Sequence, residues 1–190
     1  TDTALNITPA NRMLYIVLPV FLAAVGLLAS IAGITATRLL RSLAPTSILR
    51  TASILSAVLQ ISGSLLVVNS LGLELGIFSA MVMGTLSGAA IGVLTEWYVG
   101  GSAVRRINDS SPAGAIANVL SGLGTGMGSA IFPALMIGSV VLVAYSLAGL
   151  YGIGIAAVGM LGPVGMILSI GAFGPIAQNA AKICSLSDIG

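Results

Sequence analysis

The 190-residue sequence contains little charge, because Lys, Arg, Asp and Glu together make up 6% of it, against about 25% in an ordinary soluble domain. Hydrophobic residues make up 57%, and the mean hydropathy is +1.12. A chain with so little polar surface must place most of its residues against lipid or other apolar helices. The composition excludes a water-soluble globule and predicts an integral membrane protein whose first partner is the lipid bilayer.

The sequence has no histidine, and Cys184 is its single cysteine. These two facts exclude His-based acid–base catalysis, Ser-His-Asp and Cys-His arrangements, Cys/His zinc sites and a disulfide within the chain. Seven basic and five acidic residues leave a net charge of only +2. So small a surplus provides no basic patch, and we expect no nucleic-acid partner.

Five apolar stretches are long enough to cross the membrane, which takes about 20 residues. They cover residues 13–36, 54–68, 75–99, 115–148 and 150–173. We expect bends at Pro133 and Pro163, a turn at Gly149, and a long polar loop over 100–114. The sequence therefore predicts an all-α, polytopic transmembrane helix bundle of about five spans, with residues 1–190 forming a single transmembrane region.

The basic residues predict the orientation of this bundle, because Lys and Arg accumulate in cytoplasmic loops. On one side of the predicted spans lie Arg38, Arg41, Arg50, Arg105, Arg106 and Lys182, and on the other lies Arg12. This asymmetry predicts an N-terminus outside and a C-terminus in the cytoplasm.

Glycines recur every fourth residue within the predicted spans, at Gly84, Gly88 and Gly92 and again between Gly122 and Gly128. Such spacing lets helix backbones approach closely, and we interpret it as helix packing. The other interpretation, a phosphate-binding loop over 122–128, requires a preceding strand that the pattern does not predict.

A carboxylate near the end of the third span is a candidate functional group. Glu96 lies beside Trp97 and Tyr98, and burying a carboxylate in a membrane costs on the order of 3 kcal/mol unless it is paired or hydrated. It is either a functional residue or an interfacial glutamate next to belt aromatics. The residues alone leave both open.

Four segments resemble one family in order and spacing. They are TEWY (95–98), AIANVLSGLGTGMGS (115–129), GLYGIGIAAVGML (149–161) and GAFGPIAQNA (171–180). They are similar to TEYYT, PATNIIxGLAVGMES, GLYGIAIAAVGML and DAYGPIADNAGG of the membrane-integral pyrophosphatases. The resemblance implies an internal fragment of a bundle of roughly sixteen transmembrane helices. That family couples cytoplasmic pyrophosphate hydrolysis to outward pumping of protons or sodium ions, uses Mg²⁺ and forms homodimers, in an inner cell membrane or the membrane of an acidic organelle.

The sequence departs from the family where the family has two aspartates, at Gly171 and Gln178. Seven residues span about two helical turns, so both positions share one helix face about 10.5 Å apart. Gly171 has no side chain, Gln178 has no charge, and Lys182 adds a positive charge. This loss makes Mg²⁺ binding by this chain doubtful, since the ion prefers carboxylate oxygens.

Polar family positions nevertheless persist at Glu96, Asn118 and Asn179. The candidate site-lining residues are Glu96, Asn118, Gln178, Asn179 and Lys182, with no metal ligand and no catalytic residue assigned. Lys182 either contacts phosphate as a point charge or anchors the helix on its cytoplasmic side.

Three functions therefore compete. The first is part of a pyrophosphate-energised ion pump, and the second is a degenerate, non-catalytic paralogue or scaffold. A solute permease is the third, and inverted repeats that would favour it are missing. As a piece of a pump, the isolated chain is predicted to show no turnover, because the resemblance implies that most of the site comes from other helices.

Overall fold

The structure is a computed structural model that describes residues 11–39, 45–100 and 102–187. Within these ranges it consists of helices and contains no strand, which confirms the all-α prediction. The helices are α1 (Arg12–Leu39), α2 (Pro45–Ser70), α3 (Leu75–Gly100), α4 (Ser102–Ser110), α5 (Ala115–Ser129), α6 (Ile131–Leu161) and α7 (Val164–Leu186). A 3-10 turn over Ser111–Ala113 joins α4 to α5.

Among the described residues, four helical stretches are long and apolar enough to cross a membrane. They are Arg12–Arg38, Ser47–Ser70, Leu75–Thr95 and Ala115–Leu186. The last contains 72 residues and includes both predicted later spans, 115–148 and 150–173. About five spans were predicted, and four stretches are found because hydropathy stays high from α5 through α7.

Two helical segments extend beyond what hydropathy predicted. The predicted polar loop over 100–114 contains α4 and the 3-10 turn, and α2 begins at Pro45, well before the predicted span start at residue 54. Proline suits the first position of a helix, since the N–H that it lacks has no partner there. Hydropathy reports where a helix meets lipid, whereas the backbone can stay helical in water.

The chain reverses direction within α6. Gly149 has φ 60° and ψ −153°, and the preceding Ala148 is also non-helical; L side chains rarely adopt the first of these conformations. A Cβ added at Gly152 would touch the carbonyl oxygen of Ala144, although eight residues of straight helix span about 12 Å. The turn predicted at Gly149 is therefore present, and it divides α6 into a first arm (131–147) and a second arm (150–161).

The predicted bends at proline have different outcomes. Pro133 lies in the first turn of α6, where a missing N–H does no harm, and the break falls before it, at Ala130. Pro163 separates α6 from α7 with φ −79° and ψ 9°. The bend predicted at Pro163 is thus a full interruption of the helix.

The second arm of α6 runs parallel to α3. Contacts advance from Gly84 beside Ala156 to Gly88 beside Met160. α1 is parallel to the same arm, since Tyr15 contacts Tyr151 and Ser30 contacts Gly165.

α2 runs antiparallel to α1, because Gly63 meets Val25 while Gly33 meets Ala52. The exposed side chains of Arg38 and Arg50 consequently lie at the end of the bundle where α3 ends, and Arg12 lies at the opposite end.

Close packing through glycine is confirmed on α3, whereas on α5 no described residue packs against the glycines. A Cβ at Gly84 would touch the Ala156 carbonyl, and one at Gly88 would lie 3.0 Å from the Met160 carbonyl oxygen. A Cβ at Gly92 would meet nothing within 4 Å, and the same holds from Gly122 to Gly128. Because 122–128 lies inside α5, no phosphate-binding loop forms there.

Candidate functional site

The break at Pro163 leaves a backbone acceptor to be satisfied in the middle of the bundle. In a continuous helix the carbonyl of residue 159 accepts from the N–H of residue 163, and proline has no N–H. The Gly162 N–H approaches the Gly159 carbonyl at 3.4 Å and the Val158 carbonyl at 3.0 Å. The N–H of Met166 donates to the Pro163 carbonyl at 3.0 Å. In a lipid environment such acceptors must find partners inside the protein.

Side chains from three different helices provide those partners. Gln60 of α2 donates from Nε2 to the Gly159 carbonyl at 3.2 Å, and Thr85 of α3 donates from Oγ1 to the same oxygen at 3.1 Å. Ser30 of α1 donates from Oγ to the Gly162 carbonyl at 3.0 Å. All three side chains are buried, so the break is held by hydrogen bonds that connect α6 to α1, α2 and α3.

Glycine at position 162 is required for this arrangement. A Cβ there would overlap the Gln60 carboxamide, and a Cβ at Gly26 of α1 would lie 2.7 Å from the Gly162 Cα. Helices α1 and α2 therefore approach α6 closely at Gly162, where a side chain on α6 would displace the Gln60 carboxamide. We call Ser30, Gln60 and Thr85, with the Gly159 and Gly162 carbonyls, the break junction.

The structure places the predicted site residues in two groups. Asn118 lies in the first turn of α5, half-buried, and its Oδ1 accepts from Ser110 Oγ at 3.4 Å. Glu96 lies in the last turns of α3, and its side chain lies outside the described part.

The second group is on α7. Gln178, Asn179 and Lys182 are exposed, and a Cβ at Gly171 would meet nothing within 4 Å. Helix α7 includes both Gly171 and Gln178, so these two positions do lie two turns apart on one helix. Helix α7 packs against α1 and α2, whereas α5 packs against α4 and α6. The group on α7 and Asn118 on α5 therefore lie on helices with different packing neighbours. Their role as site residues stays a prediction.

The described residues do not fit a magnesium site. Among them no group of three or more His, Cys, Asp or Glu side chains lies close enough to hold a metal ion. The exposed face of α7 presents an amide at Gln178 and an ammonium at Lys182. Neither group provides the anionic oxygen that Mg²⁺ prefers, and the ammonium repels a cation.

Sequence reasoning missed Gln60, which was read as part of the apolar stretch 54–68. Two signals could have found it. Ser56, Gln60 and Ser64 recur at four-residue spacing on one helix face, and Pro163 deprives a carbonyl of its usual donor. A polar side chain inside a membrane span commonly donates a hydrogen bond to a carbonyl that has lost its backbone donor.

A strand-free bundle over the described ranges, with four stretches suited to crossing lipid, defines a polytopic integral membrane protein. The sequence matches the family model described as inorganic H⁺ pyrophosphatase over residues 3–190. The chain belongs to this family, which confirms the resemblance of its motifs.

Curated proteins that are similar to this chain are named as ion pumps. A Clostridium tetani protein, named provisionally as a K⁺-stimulated pyrophosphate-energized sodium pump, is 33% identical over 184 residues, covering 92% of this chain and 27% of that protein. A Bacteroides thetaiotaomicron protein with the same name is 34% identical over 192 residues, 26% of its length. A Methanosarcina mazei protein named K⁺-insensitive pyrophosphate-energized proton pump is 36% identical over 122 residues, covering 59% of this chain and 18% of that protein. The chain spans about a quarter of the first two relatives.

Proposed function

We propose that this chain is part of the membrane-spanning bundle of a pump that couples pyrophosphate hydrolysis to the movement of protons or sodium ions. The observation that supports this function is the family match over residues 3–190, together with relatives named as pyrophosphate-energized pumps. A solute permease is not favoured, since no such name occurs among these relatives.

The test uses the full-length protein reconstituted into liposomes. We expect phosphate release from pyrophosphate, accompanied by proton or sodium movement across the vesicle membrane, in parallel assays with each ion. Hydrolysis without ion movement would contradict the proposed coupling of hydrolysis to ion transport. Absence of both, in a folded full-length protein, would favour the non-catalytic paralogue that the missing carboxylates at Gly171 and Gln178 suggest.

The isolated chain is proposed to lack turnover. It spans 27% of the Clostridium tetani relative, and its α7 face presents no carboxylate at Gly171 or Gln178. Phosphate release from liposomes containing the chain should equal that from lipid-only liposomes. Release above that control would contradict this proposal.

Orientation and assembly are also proposed. With the N-terminus outside, the exposed thiol of Cys184 lies on the cytoplasmic side. A membrane-impermeant maleimide should then label it in inverted vesicles and leave it unlabelled in right-side-out vesicles; the reverse pattern would invert the topology. Chemical cross-linking of the full-length protein should give the homodimer that family resemblance suggests.

A further inference from the structure

One face of α2 carries polar side chains deep inside the bundle. Ser56, Gln60 and Ser64 are spaced four residues apart and have 0% exposure. This spacing places them on one side of the helix. That side faces α1 and the break junction, because a Cβ at Gly33 would lie 3.1 Å from Ser56 Cβ and Gln60 reaches Gly159. We call these three residues the α2 polar face.

Each member of the α2 polar face has an oxygen without a hydrogen-bond partner. Within the described part of the chain, Ser56 Oγ, Gln60 Oε1 and Ser64 Oγ are buried and unpartnered. Hydroxyls on other faces of the same helix behave differently, since Ser53 donates to the Leu49 carbonyl at 2.9 Å and Ser62 donates to the Val58 carbonyl at 2.8 Å. The two interior serines therefore do not use the backbone acceptor one turn earlier, which is available to any serine in a helix.

Buried polar atoms in folded proteins are satisfied by protein groups or by ordered water, and exceptions are few. Three such atoms on consecutive turns of one helix form a set. We propose that ordered water molecules bind along the α2 polar face. They bridge Ser56 and Ser64 to Gln60, which belongs to the break junction.

The chemistry of the set fits water better than a cation. Gln60 Oε1 can only accept a hydrogen bond, whereas each serine hydroxyl can donate and accept. A water molecule matches both, and it needs two to four polar partners. Among the described residues no Asp or Glu belongs to this face, and the carbonyls of Gly159 and Gly162 already accept from side-chain donors.

Position gives this water a structural role. Ordered water is one of the means by which membrane helices satisfy backbone groups that a proline frees. Gln60 belongs both to the break junction, through Nε2, and to the α2 polar face, through Oε1. Water on Oε1 would keep this carboxamide oriented with its Nε2 toward Gly159.

The test measures the thermal unfolding midpoint of the full-length protein in detergent, with alanine at each interior serine. Ser56→Ala and Ser64→Ala are compared with Ser53→Ala and Ser62→Ala, which make the same helix-propensity change on the same helix. Loss of a hydrogen bond to bound water should lower the midpoint of the full-length protein by about 0.5–1 °C relative to these controls, because the shift produced by a given loss of stability shrinks as a protein grows. In a dry site, removing an unpartnered hydroxyl would relieve its burial cost, so a midpoint at or above the controls would overturn the proposal.

A second measurement is direct. A cryo-EM or crystallographic map that resolves water should contain density within about 3.2 Å of Gln60 Oε1, and absence of that density would overturn the proposal. Any difference in midpoint between sodium, potassium and choline chloride at one ionic strength should be the same in the wild type and in Ser56→Ala. A cation effect that Ser56→Ala abolishes would assign the face to a cation and likewise overturn the proposal.

Discussion

The contact between α3 and α6 predicts a graded cost for adding one methyl group along α3. A Cβ at Gly84 would touch the carbonyl group of Ala156 and lie 2.9 Å from its Cα. These are backbone atoms, which cannot rotate away, so the two helices must separate. At Gly88 the nearest atoms, of Met160, are 3.0 and 3.2 Å away, and at Gly92 nothing lies within 4 Å.

The magnitudes follow from two opposing effects. Replacing glycine by alanine in a helix stabilises it by about 1 kcal/mol, and this gain is common to all three positions. Overpacking a tight contact costs about 1–3 kcal/mol. We therefore expect Gly84→Ala to be less stable than Gly92→Ala by about 1–3 kcal/mol, with Gly88→Ala between them.

The measurement is the thermal unfolding midpoint of the purified chain in detergent, where 1 kcal/mol corresponds to about 2–4 °C for a protein of this size. Gly92→Ala serves as the matched control, because it shares the helix, the substitution and the four-residue spacing. Equal midpoints for Gly84→Ala and Gly92→Ala would refute the close approach of α3 to α6.

Three further substitutions test single groups. Tyr151→Phe removes the hydroxyl that donates to the Tyr15 carbonyl at 2.8 Å and should cost about 1 kcal/mol in unfolding free energy; an unchanged denaturant midpoint would contradict the bond. Gln60→Leu removes one of the side-chain donors to Gly159 and should cost about 1–3 kcal/mol, whereas a more stable variant would mean that the carbonyl does not need it. Lys182→Ala should leave calorimetric pyrophosphate affinity unchanged, because we expect this exposed side chain to act as an anchor; a weakened affinity would instead indicate a phosphate contact.

The sequence predicted the fold class because membrane helices obey a simple constraint. Lipid offers no hydrogen bonds, so a long apolar run without strand alternation must be helical. The turn at Gly149 was also predictable, since glycine tolerates the left-handed φ that a sharp reversal requires. The helical state of residues 102–110 was not, because that segment is polar and no apolar run marks it.

The interior of the bundle was harder to predict. Glycine spacing is the same on α3 and α5, yet a Cβ at Gly84 or Gly88 would meet a described neighbour, whereas a Cβ at the glycines from 122 to 128 would meet none within 4 Å. Spacing indicates that a helix can approach another and does not identify that other helix. Gln60 was overlooked for the same reason, because its role depends on Pro163, about a hundred positions later, and no local pattern connects them.

The candidate site was predictable only as far as family motifs reach. Positions 171 and 178 do share α7, as helical spacing required. Asn118 and Gln178 are on helices with different packing neighbours, a relationship that depends on tertiary contacts. Gln178 and Asn179, which the motifs single out, are exposed on α7, while the buried polar residues Ser30, Gln60 and Thr85 are ones that no motif marks.

The break at Pro163 has a consequence for biosynthesis. Ser30, Gln60 and Thr85, which satisfy it, all precede it in the chain. Because a chain is made from its N-terminus, the helices that carry these donors enter the membrane before the proline leaves the ribosome. When the interrupted helix inserts, the donors to its Gly159 and Gly162 carbonyls are therefore already in the membrane. No segment made later is needed to satisfy these two carbonyls.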